Sequence, residues 1–353
     1  MKKILLSLAA VAMLAACSKE ETLVQQAPDA IGFDTFVDNA TRSVNDPSLT
    51  STTLTDFAVF GYVEGAVLFP GTRVAKVGTV GEIANSDLTE TNWKYEGTQY
   101  WIAGANYNFN AVAPYYGNWT VVEKDASDAV VTNATQTTVS FTNDGETDLL
   151  YATTTQQGAV SGNEAVDFTF RHVLSKVKFS FENKYNATNA TIKVKDIVIT
   201  NPHKTANVVL TAATAWDGLA TATDFTLGFG MATDDEATDA HENDEVAYVC
   251  GKTYESQKEL FLIPSATAYE YNVTFTVELL VSNSVVATYN HTATVEFAPA
   301  AGIAYDIKTA ITPENIDPQH KQEPIEFTVN TLPGWDTTIN EEADGDYDPT
   351  PQQ

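Results

Sequence analysis

Residues 167–183, DFTFRHVLSKVKFSFEN, place an arginine, a histidine, two serines and two lysines among alternating aromatic residues. Ser175 and Lys178 form an S-x-x-K pair, the spacing by which a lysine accepts the proton of a serine nucleophile in acyl transfer. That chemistry works on a helix, where residues i and i+3 share a face. This stretch alternates with the period of a strand: Val177, Phe179 and Phe181 point one way, Lys176, Lys178 and Ser180 the other. Ser175 and Lys178 then fall on opposite faces, and the companion K-T-G and S-D-N motifs are absent. The stretch reads as two strands joined by RHVLS, with Arg171 and His172 at the junction and both lysines on an exposed face.

Other chemistries find as little support. His172, His203, His241, His291 and His320 are scattered, without H-x-x-x-H or H-E-x-x-H spacing. DGDYD at 344–348 begins like a calcium loop, but the closing glutamate would fall past the last residue and the turn glycine is missing. The acidic run at 231–245, MATDDEATDAHENDE, is of the kind that collects calcium weakly. No G-x-S-x-G, Walker or G-x-G-x-x-G pattern occurs, and nothing singles out two of the 47 acids as a glycosidase pair. The expectation is a protein without catalytic residues, metal or cofactor, and not an enzyme.

The elements that carry these residues are strands. Period-two alternation rich in aromatic and β-branched residues occurs at 31–37, 56–63, 107–115, 137–141, 165–170 and 176–181. It continues at 191–200, 259–264, 271–281, 285–297 and 325–329, with Asn, Asp, Gly, Ser and Thr clusters between as turns. No amphipathic helix of twelve residues is found, which predicts an all-β chain of antiparallel sandwiches.

The chain opens MKKILLSLAAVAMLAACSKEE, a positive start and a short apolar run ending in LAAC at 14–17. This resembles a bacterial lipobox, with residues 1–16 removed as a signal peptide and Cys17 acylated. SKEE, directly after it, looks like the export tag of surface lipoproteins in the Bacteroidetes. Several acyl carbons in a leaflet, at roughly 0.8 kcal/mol each, would anchor the protein firmly. Removing two lysines from 19 basic residues leaves 17 against 47 acids, a net charge of −30. Such a surface repels nucleic acid and anionic lipid. Cys250 is left without a partner for a disulfide and is expected to be a small buried apolar residue.

Several stretches taken in order resemble the fimbrillin family, the lipoprotein pilins of Bacteroidales. They are LAAC, IGFDTFVDNATRS at 31–43, WKYEGTQYWIAGANYNFNAVAPY at 93–115, DLLYA at 148–152, FTFRHVLSKVKFSFEN at 168–183, LFLIPS at 260–265 and IEFTVNTLPGWD at 325–336. The likeness covers nearly all of the mature chain. It implies two transthyretin-like antiparallel β-sandwich domains in tandem, at 31–170 and 171–339, after a lipidated linker at 17–30 and before an acidic tail at 340–353. It also implies a surface-exposed outer-membrane lipoprotein that joins a fimbrium by donor-strand exchange. A protease cutting after arginine removes the first strand, and a neighbouring subunit's C-terminal strand fills the groove. Arg42, in the polar loop after IGFDTFV, is the expected cut; Arg73 is the rival. Ile325, Phe327, Val329 and Trp335 mark the candidate donor segment, whose plainer reading is the last strand of its own domain. The implied partners are other pilin subunits, the outer membrane through the lipid, and host or bacterial surface ligands. A non-polymerising tip, an anchor, or a glycan-binding lipoprotein using Trp93, Trp101, Trp119, Trp216 or Trp335 stays open.

Overall fold

The computed structural model describes residues 29–37, 48–77, 93–115, 117–124, 136–210, 215–233, 248–316, 324–332 and 335. Cys17, Arg42, the acidic tail and most of the acidic loop lie outside the described residues. The N-terminal half contributes β1 (Phe33–Val37), β2 (Asp56–Val63), β3 (Ala66–Lys76), β4 (Trp93–Tyr95), β5 (Asn106–Ala113), β6 (Trp119–Lys124), β7 (Gln136–Thr142), β8 (Leu150–Gln157) and β9 (Val166–His172). The C-terminal half begins with β10 (Ser175–Asn183), β11 (Ala190–Ile199), β12 (His203–Leu210), β13 (Ala215–Thr221), β14 (Leu227–Gly230) and β15 (Ala232–Thr233). It continues with β16 (Thr253–Ser256), β17 (Leu260–Leu262), β18 (Tyr269–Val281), β19 (Ser284–Phe297) and β20 (Ala304–Ile311). A single helical turn, α1 (Pro313–Ile316), precedes β21 (Thr328–Leu332).

Seven strands form one rolled sheet in the order β1-β9-β8-β5-β2-β3-β4. Its ends approach each other, the Phe33 ring of β1 lying 5.5 Å from Tyr95 of β4. Alternate residues of every strand, among them Phe57, Phe69, Trp93, Phe109, Phe168 and Phe170, meet inside as one core. The C-terminal half is a two-sheet sandwich. The sheet β15-β16-β10-β20-β21, with β17 also on β10, faces β14-β11-β18-β19. Val177, Phe179 and Phe181 of β10 lie in that second core, on the face their alternation predicts. Tight turns join the long hairpins: Glu64–Gly65 and Ser282–Asn283 both have positive φ at the two central positions, which matches the twist of the strands they connect.

The all-β, sandwich architecture expected from the sequence is present, with two features the alternation did not reveal. First, β1 pairs with β9, and β10 with β20, in parallel. Second, a third sheet, β13-β12-β7-β6, takes strands from both sides of residue 170, with Thr205 to Leu210 of β12 in register with Thr142 to Thr137 of β7. Val139, Phe141, Ala206 and Val208 of this sheet cover the outer face of β2, β5 and β8 through Ala58, Phe60, Tyr62, Val112 and Tyr151. The two halves thus share a core as well as a peptide link.

Two sequence expectations are corrected. Lys176 does not line an exposed face: it is 4% exposed and lies 3.2 Å from Glu259 on the neighbouring strand segment. Lys178 is half-buried and paired with Glu255 at 2.7 Å. In so acidic a chain, strand lysines find carboxylates across the ladder. Cys250 is exposed, because it sits in the turn before β16.

His203 and His291 are buried against Tyr269 and Phe275, at 4.3 and 5.2 Å between rings. Burial holds both imidazoles below their ordinary value. The unfolded chain takes up these protons near pH 6.5, about the value of a free imidazole, and the fold resists them. Their contribution is therefore complete above that pH and is lost as pH falls. Thermal unfolding followed from pH 8 to pH 5 should show a fall in midpoint below pH 6.5 that is shallower in the His203→Gln/His291→Gln double variant.

Candidate assembly site at the first and last strands

The first strand combines a peripheral position with a central side chain. β1 ends its sheet and, among the described residues, pairs as a strand with β9 alone, with Phe33 opposite Val166 and Val37 opposite Phe170. Ile31 and Phe33 are nevertheless fully buried, and Val37 nearly so. The Phe33 ring is enclosed by Phe57, Phe69, Tyr95, Phe109 and Phe168 at 5.4–6.5 Å between centroids. Four of these meet it edge to face, the geometry that ring quadrupoles favour. Asp34 and Phe36 point outward. Tyr95 Oη donates to the Ile31 carbonyl at 2.8 Å. Burial pushes that phenol up to about 12, so it remains a donor.

The chain leaves this strand at Val37 and is described again from Ser48. Ser51 Oγ accepts from Val37 N at 2.8 Å, so the described residues on either side of the segment that contains Arg42 are tied together. Arg73 is placed very differently. It lies in mid-strand β3, in register with Ala58 of β2, with Nη2 2.7 Å from Asp56 and the guanidinium over the Tyr115 ring. A protease cannot draw that backbone into its cleft without dismantling the ladder.

The last strand, β21, is also an edge and pairs antiparallel with β20. Ile325 is buried, and Phe327 and Val329 are partly buried against the C-terminal core. Phe327 meets Phe179, Phe181 and Phe275 edge to face. Within one chain these residues complete their own sandwich. Trp335 does not join them. It is 1% exposed and inserts between the two halves, stacked on His172 at 4.5 Å and on Phe261 at 5.9 Å.

Around Trp335 lies a polar node that the sequence did not announce. Its indole N–H donates to Ser48 Oγ at 2.9 Å, and Lys176 Nζ lies 5.2 Å over its ring. His172 Nδ1 and Asp148 Oδ2 are 2.8 Å apart with both side chains fully buried. The same carboxylate oxygen accepts from Leu49 N at 2.8 Å. An Asp–His pair beside a serine has the composition of a hydrolase, but burial closes it to any substrate. It joins residues 48–49 to Trp335, after β21. Asp148 opens DLLYA, so alternation alone assigned it no partner; only the third dimension supplies His172. Nearby, the loop Asn143–Asp148 wedges against β17: Phe261 N donates to the Gly145 carbonyl at 2.8 Å, and Asn143 Nδ2 to the Phe261 carbonyl at 3.0 Å. Gly145 has φ +83, and a Cβ there would lie 2.4 Å from Leu227, so only glycine fits.

Among the described residues, no three His, Cys, Asp or Glu side chains gather as a metal site. Trp93 and Trp101 are buried, and Trp119 and Trp216 are partly covered. Indole N–H groups of the latter two donate to the Pro114 and Val173 carbonyls.

Both the first and the last strand are thus sheet edges that carry core side chains. The fimbrillin-like family model matches residues 41–331, and the chain belongs to that family. This places it among adhesion-related cell-surface proteins. No curated protein matches the sequence. Among solved structures, it is similar to a candidate cell adhesion protein from Bacteroides ovatus at 15% identity, covering 87% of this chain and 97% of that one, TM-score 0.46. A candidate cell adhesion protein from Bacteroides uniformis is also similar, at 15% identity, 87% and 98% coverage and TM-score 0.42. So is a candidate polysaccharide-binding protein from Bacteroides thetaiotaomicron, at 9% identity, 87% and 99% coverage and TM-score 0.40.

Replacing Trp335 by alanine removes the stack on His172 and leaves a cavity in the seam, at a cost of about 3–5 kcal/mol for a buried Trp. Urea unfolding should show that loss, and limited proteolysis should find residues 325–332 cut sooner than in the parent.

Proposed function

We propose that the protein is a fimbrial subunit, exported as a lipoprotein on Cys17 and polymerised by donor-strand exchange. Cleavage after Arg42 separates β1 from the chain; β1 then leaves, and the C-terminal segment of a neighbouring copy takes its place. Adhesion is a property of the resulting polymer, and catalysis has no part in this reading. The observation that carries it is the discord within β1: the strand is held by one neighbour, yet Phe33 is the centre of the core. A core opened by losing one edge strand exposes both an unpaired ladder and an apolar groove, and an added strand satisfies both together. Arg73 lacks these virtues, since its cut would remove β2 as well.

Arg-specific protease acting on the intact precursor should yield a product beginning at Ser43 and multimers that resist SDS. Arg42→Gln should abolish both, while Arg73→Gln leaves the cut in place. A precursor that never shortens and never multimerises would instead be a tip, an anchor or a glycan-binding lipoprotein.

A further inference from the structure

The strand that leaves and the segment that enters carry the same key. β1 and its approach read Ile31-Gly32-Phe33-Asp34-Thr35, and the C-terminal segment reads Ile325-Glu326-Phe327-Thr328-Val329. Ile31 and Phe33 are fully buried, and Ile325 is 7% exposed with Phe327 partly buried beside it. Thr35 and Val329 are both half-buried, while Asp34 and Thr328 both face solvent. The two phenylalanines also do the same work. Phe33 plugs the ring of aromatics in the first core, and Phe327 meets three phenylalanines in the second.

We propose that the incoming segment lies parallel to β9 in one register, with Ile325 in the place of Ile31 and Phe327 in the place of Phe33. The proposal rests on the donor-strand reading above and adds the residues that set its register. Phe33 faces Val166 and Asp34 faces Asp167, so in the assembled pair Phe327 faces Val166 and Thr328 faces Asp167 of the next copy. The proposed register sets Glu326 at buried Gly32, which by alternation faces away from the aromatic cage, whereas a slip of one residue turns Glu326 or Thr328 into the cage itself, where a charge or a hydroxyl finds no partner. A slip of two puts Ile325 or Val329 in a slot shaped for an aromatic ring and leaves it underfilled. Phe327 is therefore the specificity-determining residue. The exchange moves it from a half-buried position into one that is fully enclosed.

Cysteines at exposed, paired positions test the register without disturbing either core. One full-length variant carries Thr328→Cys and another Asp167→Cys, each with Cys250→Ser to remove the exposed native thiol. Opposed residues on adjacent strands are close enough for a disulfide. After mixing, Arg-specific cleavage and mild oxidation, the two should form a covalent dimer on non-reducing gels, confirmed by mass spectrometry of the linked peptides. Glu326→Cys and Asn330→Cys, two residues off in either direction, should link to Asp167→Cys at least tenfold less. Multimers that link through position 326 or 330, or not at all, would overturn the register while leaving polymerisation intact. Absence of multimers from every mixture would overturn both.

Discussion

The N-terminal half depends on the Phe33 ring being held in a cage of aromatics by a strand with a single neighbour. Five rings surround it, and β2, β3, β4, β5 and β9 each supply at least one. Burial of a phenylalanine contributes roughly 1.5–3 kcal/mol, and its edge-to-face contacts add to that. Here the plug rides on an edge, so the sheet can close only if that edge is filled.

A different interaction secures the two halves. The seam uses a buried Asp148–His172 pair, with Trp335 stacked on the imidazole and Leu49 N bonded to the carboxylate. Burying charge-capable groups gains little stability over apolar packing, but it accepts only one arrangement, because a misplaced partner leaves an unpaired polar atom. Residues 48–49 and 335 are brought together from nearly opposite ends of the described chain. If β1 leaves as proposed, the segment behind it stays anchored by bonds that do not involve β1, and the remaining sheet keeps its contact with the second half.

Much of this was legible in the sequence. Strands such as β10 and β18 alternate, and their apolar sets match the second core, while β2 and the end of β5 are apolar on both faces and serve two cores. What escaped has physical causes. β3 contains Pro70-Gly71, which reads as a turn, yet a bulge where Phe60 meets Pro70 lets the strand continue through it. β8 is rich in Thr and Gln, and β12 alternates weakly, because each relies on neighbouring strands for cover. The burial of Lys176 and the parallel partners of β1 and β10 are properties of sheet order, which local pattern does not encode. Of the assembly site, the Ile-x-Phe plugs were visible as strand signals. The Asp148–His172–Trp335 node was not, since its members are separated by scores of residues and share no local motif.

In the proposed assembly, the edge position of β1 also explains why a cut is needed at all. While β1 is covalently attached, it returns to its groove at the effective concentration of a tethered segment, of order millimolar for a short flexible linker. A donor from another molecule at ordinary concentration cannot compete with that. Cleavage after Arg42 would leave the packing of Phe33 in its cage in place, for Phe33 precedes the cut and all five cage rings follow it. It changes only the standing of β1, from a tethered strand to a dissociable peptide. The incoming segment is in turn covalently part of its own subunit. Exchange as proposed would therefore run from a detached plug to an attached one, and the direction of assembly would follow from chain connectivity rather than from any difference in the groove.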